Sequence, residues 1–192
     1  MHGAFNFRIK AAGEISQQFL SRRIKDFMGA AQFIRQLPYR RNADKADLAS
    51  VFADGGATCG PKHAVLRQLA LENDVSDLKL KLGVFKMSGQ NTPPIARILA
   101  EHKLPFLPEA HNYLRVGRTV LDCTRATSSV DDFKADLLLE IEIEPLQIGA
   151  PKVAFHQTYL RYWLSQNPGL ALTFPELWAI REQCIAELSQ TD

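Results

Sequence analysis

Cysteine is scarce in this chain of 192 residues, which contains only Cys59, Cys123 and Cys184. An odd number of cysteines without repeating spacing excludes a disulfide framework, and a reduced compartment fits such a chain. The CxxC and HExxH metal patterns are missing, and so are the Gly-rich GxGxxG and GxxxxGK[ST] phosphate loops. We therefore expect neither a metal nor an organic cofactor.

Long hydrophobic runs are absent as well. The longest cover only a few residues, such as 137–139, whereas a helix that crosses a membrane needs roughly 20 apolar residues. The first residues, MHGAFNFRIKAAGE, lack the continuous apolar stretch and the cleavage site of a secretory signal. We therefore expect a cytoplasmic protein that has no membrane partner.

The charged residues are unevenly distributed along the chain. Residues 1–45 contain nine Lys or Arg against three acids, although the net charge of the whole chain is only +2. A basic segment can contact nucleic acid, but these charges alternate with Phe, Ile and Leu at helical spacing, which is typical of a solvated helix face. Nucleic acid is therefore not the expected partner, and nothing in the sequence indicates an oligomeric state.

The pattern of apolar residues predicts an α+β protein with one domain, residues 1–192. The first predicted helix covers residues 14–36, and the second is a short segment that Asn42 or Asp44 caps and that ends near Phe52. A third helix begins near Cys59, and a fourth covers the segment NTPPIARILAEH. The last two cover residues 151–166 and a segment that begins at Thr173. Predicted strands cover residues 78–87, both arms of a hairpin at Gly117, and 139–145, where a helix from Asp131 is the alternative. The order of helices, strands and helices favours helices that pack on an antiparallel sheet.

Cys59 has the local sequence of a reactive thiol. Gly55 and Gly56 permit a sharp turn before it, and Pro61 is tolerated only in the first turn of a helix. A cysteine at a helix N-terminus has a lowered thiol pKa when an imidazole lies nearby. The unpaired backbone N–H groups there can also hold an oxyanion, and Asn42 is a candidate for a second oxyanion donor, although helix capping is an equal alternative for it.

The predicted hairpin supplies an imidazole and a carboxylate. A two-residue turn that begins with Gly117 places His111 and Asp122 on one face of the sheet as diagonal neighbours. Diagonal neighbours lie about 7–8 Å apart, so that a carboxylate can reach an imidazole nitrogen. Cys123 falls on the opposite face, where we expect it to be buried. Cys59, His111 and Asp122 therefore form a candidate nucleophile, base and orienting acid.

Two other residues compete for roles in this site. His63 lies one helical turn after Cys59, so the two side chains could bind a metal or His63 could serve as the base, but no orienting partner for His63 can be placed. Glu109 shares a strand face with His111 and could replace Asp122, although a solvated edge position is favoured for it. The sequence therefore favours His111 as the base.

The segment GATCGPKHAVLRQLA resembles the helix that carries the nucleophile in transglutaminase-like (papain-like) cysteine enzymes. EAHNYLRVGRTVLDCT is similar to their His strand and Asp-x-Thr strand, and the resemblance covers roughly residues 50–126. It implies an antiparallel sheet that packs against the helix with the nucleophile, and it aligns Cys59, His111 and Asp122 with the catalytic triad. Tyr113 stands where Trp is common, and Cys123 replaces the usual Pro of Asp-Pro-Thr.

This resemblance implies a cysteine-dependent acyl hydrolase or acyltransferase, such as a protease, an amidase or a transglutaminase-like enzyme. The expected substrate is an amide or a peptide-like molecule, and the chemistry requires no cofactor. The alternative is a catalytically silent interaction module of the same fold, which would dock through its basic N-terminal helix.

Overall fold

An antiparallel sheet of four strands lies at the centre of the structure, a computed structural model that describes residues 5–44 and 46–190. The strands are β1 (Lys79–Met87), β2 (Leu107–Val116), β3 (Thr119–Leu121) and β4 (Leu137–Ile143), and their order in the sheet is β3-β2-β1-β4. All four predicted strands are therefore present, and the segment for which a helix from Asp131 was the alternative is the strand β4.

Helices precede, interrupt and follow the strands. They are α1 (Glu14–Ser21), α2 (Phe27–Gln36), α3 (Ser50–Asp54), α4 (Cys59–Glu72), α5 (Ala96–Glu101), α6 (Ala150–Ser165) and α7 (Phe174–Leu188). Helix α4 begins at Cys59 as predicted, and the predicted capping box of Thr173 and Glu176 opens α7. The α+β class is thereby confirmed. No helix among the described residues is long and apolar enough to cross a membrane.

The prediction of one continuous helix over residues 14–36 is wrong. The chain turns between α1 and α2, where Arg23 has a left-handed φ of 62°. Asp26 then caps α2 by accepting a hydrogen bond from the backbone N–H of Gly29, which is the interaction that favours Asp before a helix. The predicted apolar face is nevertheless buried as expected, because Ile15, Phe19, Phe27, Ala31 and Ile34 all lie in one core.

The predicted short helix ending near Phe52 is also displaced. The helix in this region, α3, begins only at Ser50 and has no side-chain cap. Asn42 does not cap it, because the Asn42 amide instead donates to the carbonyl of Gly56 and to the Ser50 hydroxyl.

The sheet separates two apolar cores. Leu80 and Leu82 on one face of β1 pack in a core with residues of α1, α2 and α4. Phe85 and Met87 face the opposite side and pack with residues of α5, α6 and α7. Alternate residues of a strand point to opposite faces, so β1 is buried on both sides and helices cover both faces of the sheet.

The hairpin between β2 and β3 has the predicted register. Val116 pairs with Thr119 and Leu114 pairs with Leu121, and Gly117 in the turn has a positive φ of 54°. Strand β3 ends at Leu121, so no strand among the described residues lies beside the edge of β2 beyond this point. That free edge is where the candidate site lies.

Candidate active site

The Cys59 thiol lies at the first residue of α4, and this helix packs against β2. The backbone of Thr58 is extended. Pro61 lies in the first helical turn and costs no hydrogen bond there, because an N–H at this position has no partner within the helix. Only 7% of Cys59 is exposed. The helix N-terminus therefore brings a buried thiol to the free edge of β2.

His111 and Asp122 lie on the same side of the hairpin and are hydrogen bonded. His111 Nε2 is 3.0 Å from Asp122 Oδ2, and the other carboxylate oxygen accepts the backbone N–H of Thr124 at 2.9 Å. Cys59 lines the same cavity as His111 and Asp122, and His111 helps to lower the pKa of the Cys59 thiol. The structure thus brings the three predicted residues together around one cavity.

Aromatic rings hold the His111 imidazole in place. The ring of Phe133 lies 4.9 Å from it, and the rings of Phe85 and Tyr113 lie 6.0 Å from it. Packing against these rings restricts the orientation of the imidazole. An imidazole whose orientation is already restricted loses little conformational entropy when it transfers a proton.

The three groups hold each other in their charged forms. Burial alone would raise the pKa of the Cys59 thiol, but the Lys152 ammonium and His111 lower this pKa to about 6. Burial also opposes a charge on His111, yet the Asp122 carboxylate and Cys59 raise the pKa of His111 to about 10. Burial opposes the charge of Asp122 as well, but His111 holds the pKa of that carboxyl well below its usual range. Near neutral pH this arrangement favours a thiolate beside an imidazolium.

Lys152, in the first turn of α6, is a site residue that the sequence did not reveal. Its ammonium lies 3.7 Å from Cys59 Sγ and donates to Asn112 Oδ1 at 2.6 Å. Asn112 is fully buried, and its own amide donates to the carbonyl of Lys81. No pattern in the sequence links Lys152 to Cys59, because the two residues are 93 positions apart.

Two hydrogen bonds to backbone groups engage the imidazole of His63. Its Nε2 accepts the N–H of Cys123 at 2.7 Å, so the proton is on Nδ1, which donates to the Cys59 carbonyl at 2.8 Å. Burial is the main reason why the pKa of His63 falls to about 4. His63 is therefore a neutral, fully buried link between α4 and the end of the hairpin, and both of its ring nitrogens are occupied.

The expectation that Glu109 is solvated is wrong. Its carboxylate is buried and accepts two hydrogen bonds from Arg181 of α7, at 2.6 and 2.9 Å. Burial opposes the charge, but Arg181 and His156 lower the pKa of Glu109 to about 2. Since Arg181 engages both of its oxygens, Glu109 is not the partner of His111.

Asn42 does not lie with the candidate triad. Its side-chain N–H groups are directed to Gly56 and Ser50, and it lines neither of the cavities that Cys59 lines. The expectation that Asn42 supplies the second oxyanion donor is therefore wrong. The Asn42 amide instead stabilises the turn that precedes Cys59.

Cys59 borders two cavities. One, of about 120 Å³, has a mostly apolar surface that includes Phe133, and it is also lined by Thr124, by His111 and by charged side chains such as Asp122. The Thr124 hydroxyl is buried and has no hydrogen-bond partner among the residues that the structure describes. The other cavity, of about 50 Å³, lies towards Lys152 and Arg181. The thiol therefore borders a mostly apolar cavity and also a smaller cavity that is lined by cationic side chains.

The other two cysteines lie apart from this chemistry. Cys123 and Cys184 are buried, and burial raises the pKa of Cys123 to about 12 and that of Cys184 to about 11. Cys123 faces the core on the side opposite His111, as the hairpin predicts. A thiolate is therefore favoured only at Cys59.

We compared the chain with known proteins by scanning family models and by searching curated proteins and solved structures. None of the three comparisons found a match.

Proposed function

We propose that this chain is a cysteine-dependent acyl hydrolase or acyltransferase with a transglutaminase-like (papain-like) core, acting on an amide or a peptide-like substrate. Cys59 is the nucleophile, His111 the base and then the acid, and Asp122 the group that orients the imidazole. The observation that carries the proposal is that one imidazole, hydrogen bonded to a buried carboxylate, lines the same cavity as a buried thiol.

The electrostatics of the site support this assignment. A thiol becomes a good nucleophile when its pKa falls below the ambient pH, and the pKa of Cys59 is lowered to about 6 while that of Cys123 is raised to about 12. The difference arises from a helix N-terminus and two cationic side chains around Cys59. A cysteine with a purely structural role has no need of this arrangement.

In the proposed reaction, the Cys59 thiolate attacks the substrate carbonyl and forms the C–S bond, while the carbonyl π electrons move to oxygen. The backbone N–H of Cys59 accommodates this oxyanion. The imidazolium of His111 then donates its proton to the departing amine, the C–N bond breaks, and an acyl-enzyme remains. His111 next accepts a proton from water or from an acceptor amine, which attacks the thioester and releases Cys59.

The two cavities beside Cys59 suggest how a substrate lies in the site. The mostly apolar cavity, which is lined by Phe133 and Thr124, suits an acyl group with one polar atom. The smaller cavity lies on the other side of the thiol and suits the opposite end of the scissile bond. Both are small, which favours an extended side chain or a short peptide segment over a bulky group.

Thiol labelling tests the proposal without a known substrate. At pH 6.5, iodoacetamide should alkylate Cys59 much faster than an ordinary cysteine, since more than half of Cys59 is thiolate when its pKa is about 6. Peptide mapping should locate the label at Cys59, with Cys123 and Cys184 as internal controls. Labelling at Cys59 no faster than at these buried thiols would instead favour a silent interaction module.

Substitution separates chemistry from folding. Cys59→Ala should abolish amide cleavage or acyl transfer and leave the circular dichroism spectrum unchanged. Cys123→Ala should spare the activity and cost on the order of 1 kcal/mol of stability, because it removes a buried sulfur from the core. Equal activity in Cys59→Ala and the parent protein would end the enzyme proposal.

A further inference from the structure

We propose that Lys152 is a catalytic residue that supplies the second donor to the oxyanion, and that it takes the role which the sequence suggested for Asn42. The inference rests on the proposed function and extends it. It assigns to a lysine of α6 a direct contact with the reacting carbonyl.

The ammonium group of Lys152 lies close to the sulfur that would react. Lys152 Nζ lies 3.7 Å from Cys59 Sγ, and the negative charge moves from this sulfur to the carbonyl oxygen as the C–S bond forms. The oxygen is only two bonds from the sulfur, so the same cation can follow the charge with a small shift. No proton needs to leave Lys152 during this step.

A buried partner holds the Lys152 ammonium in position. Asn112 Oδ1 accepts one ammonium hydrogen at 2.6 Å, and Asn112 is fixed by its hydrogen bond to Lys81. An amide holds the ammonium without neutralising its charge, and no carboxylate in the described parts of the chain forms an ion pair with Lys152. A donor that is held in place before the reaction costs no reorganisation when charge develops.

Lys152 differs from the neighbouring cations in its partners. Arg181 is engaged by Glu109, and Arg41 is paired with Glu182. Lys152 lines the same cavity as these two arginines, but its charge is directed at the thiol.

Two reactions of the same thiol distinguish oxyanion stabilisation from thiolate stabilisation. Alkylation by iodoacetamide is a displacement that forms no oxyanion, whereas acylation by p-nitrophenyl acetate passes through a tetrahedral oxyanion. Both rates are proportional to the thiolate fraction of Cys59, so this fraction cancels from their ratio at a given pH. A large fall in the ratio therefore reports on the oxyanion.

For Lys152→Met we expect the ratio of acylation to alkylation to fall about 100-fold, the lower end of the usual effect of losing one oxyanion donor. Lys152→Arg should stay within about tenfold of the parent because it keeps a charged donor. The matched control is Lys79→Met, which removes an exposed strand lysine and should leave the ratio unchanged. If Lys152→Met does not fold, Lys152→Gln against Lys152→Arg makes the same comparison.

The possible results separate this inference from the proposed function. If the parent protein is acylated at Cys59 and the ratio is equal in Lys152→Met and the parent, Lys152 has no oxyanion role and the triad still stands. If Cys59→Ala and the parent release nitrophenolate at the same rate, the proposed function itself fails. A rise in the thiol pKa of Lys152→Met with an unchanged ratio would limit Lys152 to stabilising the thiolate and would overturn the inference.

Discussion

The two histidines near Cys59 have different charge states because their hydrogen-bond partners differ, although the Asp122 carboxylate lies near both. His111 bonds to a carboxylate, which favours imidazolium and raises its pKa to about 10. His63 donates to a carbonyl and accepts a backbone N–H, and the latter is possible only for a neutral ring. Burial alone would favour the neutral form of both residues. The hydrogen-bond partners therefore decide which histidine carries a charge near neutral pH.

This difference predicts distinct effects of the two alanine variants on the thiol. His111→Ala should raise the pKa of Cys59 and slow its alkylation near neutral pH, because the imidazolium that stabilises the thiolate is lost. His63→Ala should change this pKa little, although it should lower stability. The rate of iodoacetamide alkylation, measured from pH 5 to 10, gives both values. A raised thiol pKa only in the His63 variant would reassign the base.

At the scale of elements, the hairpin at Gly117 determines which side chains face the site. A shift of one residue in the pairing of β2 and β3 would move Asp122 to the face of Cys123. The two-residue turn sets the register, and Gly117 adopts a positive φ at no steric cost. The turn therefore controls the contact between His111 and Asp122 from a distance of several residues.

Substitution of Gly117 measures the contribution of this turn. Gly117→Ala should destabilise the protein by about 1 kcal/mol, since alanine disfavours the positive φ. A Cβ atom at Gly117 would meet no atom within 4 Å, so no steric clash contributes to this value. Gly169→Ala is the matched control, because that glycine also has open space around it but no positive φ. Urea unfolding should give a difference near zero for the control, and equal effects of the two substitutions would contradict this account of the turn.

At the scale of the whole molecule, buried polar groups join the two helical layers to the sheet. His63 links α4 to the end of the hairpin, and the ion pair of Glu109 with Arg181 links β2 to α7. Each group has a pKa in the folded protein that differs from its usual value, so each makes stability depend on pH. The stability of the helix packing around the site therefore depends on the protonation of His63 and Glu109.

We predict that the free energy of unfolding falls as the pH decreases below about 6.5. In the unfolded chain His63 takes up a proton at its usual pKa near 6.5, whereas in the folded protein it stays neutral down to about 4, so stability is lost across this window. His156, whose pKa is also lowered by burial, acts in the same direction. Glu109 continues the loss as the pH falls from about 4.5 towards 2, because its ion pair with Arg181 requires the carboxylate.

Urea unfolding between pH 4.5 and 8 tests this prediction. His63→Gln should be less stable than the parent at pH 7, but its stability should depend less on pH, by up to about 1.4 kcal/mol per pH unit for the loss of one titrating group. His102→Gln changes a histidine of a surface turn and should keep the slope of the parent. An equal slope in His63→Gln and the parent would show that another group causes the acid sensitivity.

Local features of the chain were sufficient to predict much of this protein. Gly117 and the alternation around it determined the hairpin register, and the turn residues before Cys59 with Pro61 after it determined where α4 begins. Both depend on backbone preferences over a few residues. Asp26 is also a local signal, because it is a capping residue inside the 14–36 segment. The apolar periodicity continues across Asp26, so it did not indicate the break between α1 and α2.

Only the tertiary structure decided which charges surround the thiol. Lys152 reaches Cys59 across 93 positions of sequence, and Arg181 reaches Glu109 across 72. Such contacts depend on how α6 and α7 pack against the sheet, and an isolated lysine or arginine carries no pattern that reveals its distant partner. Asn42 failed as an oxyanion donor for the same reason, because the fold directs its amide to Gly56. The triad follows from local spacing, whereas its electrostatic environment follows from the packing of distant helices.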